Sequence, residues 1–82
     1  MSESSYQRKR IQHWEDKGYF VMKLVKTSKN GIPDIIAIPP DSGVVFEEIK
    51  GVDGVVSPLQ EYMIRELNAH GCIASVEREA KK

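Results

Sequence analysis

Apolar positions along this chain come in short runs whose spacing changes from helical to extended and back. Over residues 2–17, Glu3, Gln7, Arg10 and Trp14 fall at i, i+4, i+7 and i+11, with Ile11 beside them, and the spacing predicts a helix. Its stripe is apolar only at the far end, and Gly18 is placed to stop it. Residues 19–26, Tyr-Phe-Val-Met-Lys-Leu-Val-Lys, are aromatic and β-branched and predict a strand. A polar turn over 27–31 leads to a second strand over 32–38, which Pro39-Pro-Asp-Ser-Gly43 stops. A third strand covers 44–50, and its short connection to the second predicts an antiparallel hairpin. Gly51-Val-Asp-Gly54 reads as a flexible loop. Ser57-Pro-Leu-Gln60 carries the marks of a helix start: Ser57 as N-cap, Pro58 at the first position and Gln60 as the third member of a capping box. Leu59, Tyr62, Met63 and Leu67 form this second helix's apolar face, and Gly71 closes it. A last strand over 72–76 precedes a charged tail, Glu77–Lys82. The order is α-β-β-β-α-β, an α/β (α+β) fold with a small mixed sheet flanked by helices.

Length sets the scale. The 82 residues make one domain, 1–82, with a thin core that a partner subunit would help to complete. Apolar runs reach only four or five residues, so no membrane span is expected, and the polar opening segment does not resemble a secretory signal. With one cysteine, Cys72, the chain cannot form an internal disulfide, and a soluble, intracellular protein is expected.

The charge distribution is more specific. Twelve basic and twelve acidic residues cancel, which excludes a uniformly basic coat for nucleic acid but leaves segregated patches. Asp34 follows Gly31-Ile-Pro and precedes Ile35-Ile-Ala-Ile38, while Glu48 and Lys50 close the run Val44-Val-Phe. Alternate strand residues share a face, so Glu48 and Lys50 point the same way. Two carboxylates at adjacent strand ends, with an ammonium beside them, can hold a hard divalent cation and a water, and the Ile49 carbonyl between them can add a ligand. Lys50 is suited to orienting or deprotonating the attacking water. Taken singly, Asp34 is a turn residue and Glu48 and Lys50 an ion pair; together, amid Ile and Val, they point to a metal-dependent nuclease site. His13 and His70 lack metal-ligand spacing, and Tyr6, Trp14 and Tyr19 read as packing residues.

Pro33-Asp34, followed 14 residues after Asp34 by Glu48-Ile49-Lys50, resembles the PD-(D/E)xK nuclease signature. The Asn-Gly-Ile-Pro-Asp, Glu-Glu-Ile-Lys and Ser-Pro-Leu-Gln-Glu segments resemble its VRR-NUC (virus-type replication-repair nuclease) branch more narrowly, in the stand-alone form. The resemblance covers about Glu3 to Val76 and implies Mg²⁺- or Mn²⁺-dependent DNA cleavage. Asp34 and Glu48 would be metal ligands, Lys50 the catalytic lysine and Gln60 a polar residue near the scissile phosphate. Glu3, at the start of the first helix, resembles a glutamate that often joins the metal site, with Gln7 one turn on. Gln60 thus has two competing uses, site and cap, that look incompatible in one rotamer. Arg8, Lys9, Arg10, Lys23, Lys26 and Lys29, with Gln7, are candidates for contacting DNA. Stand-alone members resemble Holliday-junction resolvases acting as homodimers on branched DNA, whereas larger relatives carry the module within flap-processing or repair enzymes, so replication or repair partners are a further expectation. The rival reading is a nuclease-fold module that binds DNA or a partner without cutting; a third is a structural interaction domain.

Overall fold

The computed structural model describes residues 2–80; of the charged tail, Lys81 and Lys82 lie outside the described residues. The elements run α1 (Glu3–Glu15), β1 (Phe20–Lys23), β2 (Ile35–Ile38), β3 (Val45–Lys50), α2 (Pro58–Ala69) and β4 (Ile73–Arg78), the α-β-β-β-α-β order read from the sequence. The four strands form one mixed sheet in the order β1-β2-β3-β4. β1, β2 and β3 are antiparallel neighbours, and β4 returns through α2 to lie parallel to β3.

β3 is central and covered on both sides. Val45, Glu47 and Ile49 face α1, where they meet Ile35 and Ala37 of β2 in the most deeply buried part of the core. Phe46, Glu48 and Lys50 face the other way, on the side of α2 and its buried Met63. Two acidic residues are therefore adjacent in sequence, buried, and directed to opposite faces of one strand.

Several boundaries differ from the sequence reading. β1 ends at Lys23 rather than Lys26, because its partner β2 begins at Ile35, opposite Lys23. β2 is correspondingly shorter than 32–38: Pro33 has no amide for a ladder, and the pairing with β1 runs out at Asp34, whose carbonyl accepts the Leu24 N–H (2.7 Å) as a last rung. β4 reaches Arg78, past the apolar residues, because its backbone follows β3 to the end, with Arg78 opposite Lys50. Asn68 of α2 satisfies the outer edge of this strand, bonding both the N–H and the carbonyl of Ala74 at 2.9 Å.

Gly31 explains the first residue of the Gly-Ile-Pro-Asp turn. It adopts φ +79°, and a Cβ there would lie 2.8 Å from the Leu59 side chain and 3.2 Å from both the Leu59 carbonyl and Met63. The turn before Asp34 therefore packs directly onto the first turns of α2, which a larger residue would push away. This contact fixes α2 relative to the acids of β2 and β3.

Candidate metal-dependent nuclease site

Asp34, Glu48, Lys50 and Gln60 converge. Asp34 sits just before β2, where the ladder to β3 has ended, and its Oδ2 accepts the Ile49 N–H at 2.7 Å. A strand residue's N–H and carbonyl lie on the same edge, so the Ile49 carbonyl opens toward Asp34 as well. Glu48, 3% exposed, projects from β3 with Lys50 on the same face, and Lys50 Nζ lies 3.3 Å from Glu48 Oε2. Gln60 Nε2 donates to the same oxygen at 3.2 Å.

Both partners engage Oε2, and the buried Oε1 of Glu48 has no hydrogen-bond partner among the described residues. A buried carboxylate oxygen left bare is costly, by about 1–3 kcal/mol or more for a charged group. Burial, followed by repulsion from the Asp34 carboxylate, pushes the Glu48 carboxyl up to about 7, although Lys50 pulls it down. A divalent cation held here would relieve both causes, since it would replace lost solvation and screen the two carboxylates from each other. The donor set of two carboxylates and a backbone carbonyl is hard and oxygen-only, and it suits Mg²⁺ or Mn²⁺ with water and phosphate completing the shell.

Gln60 makes the helix cap and reaches Glu48 in one rotamer, so the two sets of contacts that looked incompatible in sequence coexist. Its Oε1 accepts the Ser57 N–H at 2.9 Å and its backbone N–H donates to Ser57 Oγ at 3.1 Å, completing the capping box. The amide nitrogen of the same group is left to reach Glu48.

The family model of the VRR-NUC domain matches residues 1–79. The chain belongs to the VRR-NUC domain family. No curated protein matches its sequence. Membership gives the VRR-NUC chain a nuclease-type function.

The remaining candidates of the VRR-NUC chain are placed differently. Glu3 stands apart from the acidic pair: its Oε1 accepts the Gly51 N–H at 3.2 Å, and the described residues contain no cluster of three or more Asp, Glu, His or Cys side chains able to share a metal. Arg10, a DNA-contact candidate, is instead held in the protein. Its Nε and Nη2 donate to the two oxygens of Glu47 at 3.0 and 2.8 Å, Glu77 lies 3.7 Å away, and the guanidinium stands over the Trp14 ring. Gln7 is half-buried on the same helical stripe, and Arg8 and Lys9 face outward from α1. Lys23 ends β1, and Lys26 and Lys29 are exposed on the connection leading to Asp34. Trp14 and Tyr19 pack together with ring centres 4.8 Å apart. No helix among the described residues is long and apolar enough to cross a membrane.

Sequence reasoning missed Glu47. Its signal was present, because alternation puts it on the face opposite Glu48, toward the helix that carries Arg10, but a pair separated by 37 residues needs the topology to be seen.

Proposed function

We propose that this VRR-NUC domain is a Mg²⁺- or Mn²⁺-dependent endonuclease that hydrolyses phosphodiester bonds in structured DNA, with Asp34, Glu48 and the Ile49 carbonyl as the metal-holding groups. The observation that carries this reading is the bare Oε1 of buried Glu48 beside Asp34, with Lys50 on the same carboxylate. When bound, the cation supplies phosphate neutralisation and a water of lowered pKa. The side chains do the rest. Asp34 is oriented by the Ile49 amide, so its carboxylate presents a fixed edge. Gln60 and Lys50 hold Oε2 of Glu48 and leave Oε1 for the metal. The Lys50 ammonium, near the acids yet partly exposed, orients the attacking water and steadies charge developing on the phosphate.

A four-way junction is the preferred substrate and a homodimer the working form. Support for the dimer comes from the size of the chain and from large apolar side chains left in solvent: Phe20 is 64% exposed, and Met22, Val25 and Ile73 are also exposed. Lys23, Lys26 and Lys29 supply positive charge next to the Asp34 turn for the DNA backbone, with Gln7, Arg8 and Lys9 as a second contact, and repair or replication proteins are candidate partners. Labelled single-strand, duplex, flap, fork and four-way-junction DNAs test substrate choice, and light scattering tests the assembly. Symmetric junction cuts by a species of twice the chain mass support the proposal. Cuts confined to flaps or single strands by a monomer discard the resolvase form.

A further inference from the structure

The loop after Lys50 looks flexible in sequence, with glycine at both ends of Gly51-Val-Asp-Gly54. In the fold it is tied down from three directions. The Gly54 N–H donates to the Gly51 carbonyl at 3.2 Å and closes the turn. Glu3 of α1 accepts the Gly51 N–H at 3.2 Å. From β4, Arg78 Nη1 donates to both the Gly51 carbonyl, at 3.3 Å, and the Gly54 carbonyl.

Arg78 is the register partner of Lys50 in the parallel β3–β4 pair, so the two side chains leave the sheet on the same side. Gly54 lies against the Lys50 stem. A Cβ on Gly54 would be 3.1 Å from both Cβ and Cδ of Lys50, tighter than ordinary van der Waals contact. The guanidinium, the turn and the lysine stem thus form a stack, and the far end of the lysine is the ammonium on Glu48.

We propose that Arg78 is a positioning residue for Lys50: by holding the Gly51 and Gly54 carbonyls it fixes the turn that backs the lysine stem and keeps the ammonium against Glu48. Its consequence for cleavage rests on the nuclease reading above; its consequence for the turn does not. Glycine-bounded turns have many accessible backbone states, so removing the donor that joins both carbonyls releases the wall behind Lys50. Arg78 touches neither acid of the site, and its effect passes through the turn.

The test compares Arg78→Met, which keeps the stem and loses the donors, with Arg78→Lys, which keeps a charged donor, and with Gly54→Ala, which crowds the lysine stem while Arg78 stays in place. Cleavage is measured at saturating and limiting DNA, alongside amide exchange at Gly54 and side-chain NMR of Lys50. Arg78→Met is expected to lower kcat by about 10–10²-fold, the scale of a small misplacement of a reacting group, with KM nearly unchanged. Gly54 exchange accelerates, the Lys50 signals shift, and Arg78→Lys recovers part of the rate. Gly54→Ala lowers kcat in the same way. A raised, salt-dependent KM with unchanged kcat overturns the proposal and makes Arg78 a phosphate contact. Unchanged Gly54 exchange and Lys50 signals in Arg78→Met also overturn it. If the wild-type protein cuts no DNA, the exchange and NMR comparison still decides the role of Arg78, and only the nuclease reading is lost.

Discussion

Gln60 Nε2 donates to Glu48 Oε2 at 3.2 Å while Oε1 of the same amide accepts the Ser57 N–H at 2.9 Å, so one side chain joins the start of α2 to the buried acid of β3. A glutamate at this position retains the acceptor that the capping box needs but loses the donor to Glu48. Gln60→Glu is therefore expected to keep the helix and lose cleavage, because it brings a third negative charge to the site. Gln60→Ala loses both roles, with a stability cost of about 1 kcal/mol for the cap. Thermal melts and cleavage rates of the two variants, measured together, separate the roles. A Gln60→Glu enzyme with wild-type activity would mean that Gln60 is only a cap.

Lys50→Ala removes the ammonium without opening the core face that α1 covers. The expectation is a folded protein, by circular dichroism, whose cleavage rate falls by about 10²–10⁴-fold, the range of a positioned acid–base group. Cutting at the wild-type rate would show the assigned role of Lys50 to be wrong.

The pH dependence of the metal-free protein follows from Glu48. Its folded carboxyl titrates near 7 and its ordinary value is 4.5, so between these the folded chain holds a proton that the unfolded chain has released. That contribution is complete below the unfolded value and is lost as pH rises through about 7, a difference of about 3 kcal/mol. Melting temperature in a chelator should fall as pH rises from 5 to 8 in wild type and fall much less in Glu48→Gln, judged against the ordinary value of 4.5. At the alkaline end the variant should melt above wild type. Parallel curves for the two proteins would contradict the raised Glu48.

Arg10 and Glu47 make the opposite kind of pair, closed and internal. Glu47 is 2% exposed, so Arg10→Ala strands a buried carboxylate at a cost of about 3–5 kcal/mol. For a domain this small that is most of the stability. The double variant Arg10→Met/Glu47→Leu should recover much of it, since neither charge is then left alone. Denaturant unfolding reads both. An Arg10→Ala protein of normal stability with weakened DNA binding would return Arg10 to the DNA-contact set.

Much of this was legible in the sequence because local chemistry and tertiary structure agree. Ser57-Pro-Leu-Gln60 specifies its helix start by caps alone, and α2 begins at Pro58 as read. Asp34, Glu48 and Lys50 stood out because charge among Ile and Val is expensive. What stayed hidden depends on partners distant in sequence. The ends of β1 and β4 are set by the strands they pair with. Residue types alone assign Arg10 to DNA as readily as to Glu47. Sequence alone does not show that the Glu3 carboxylate meets the Gly51 amide, and the loop that looked flexible is held by Arg78, from the segment read as a tail.

The most direct test of the central claim is cleavage of a labelled four-way junction with Mg²⁺ or Mn²⁺, with chelator, and with Asp34→Asn beside wild type. Cutting is expected only from wild type and only with the divalent ion. Cutting that survives the chelator or the Asp34→Asn substitution would contradict a metal site at Asp34 and Glu48.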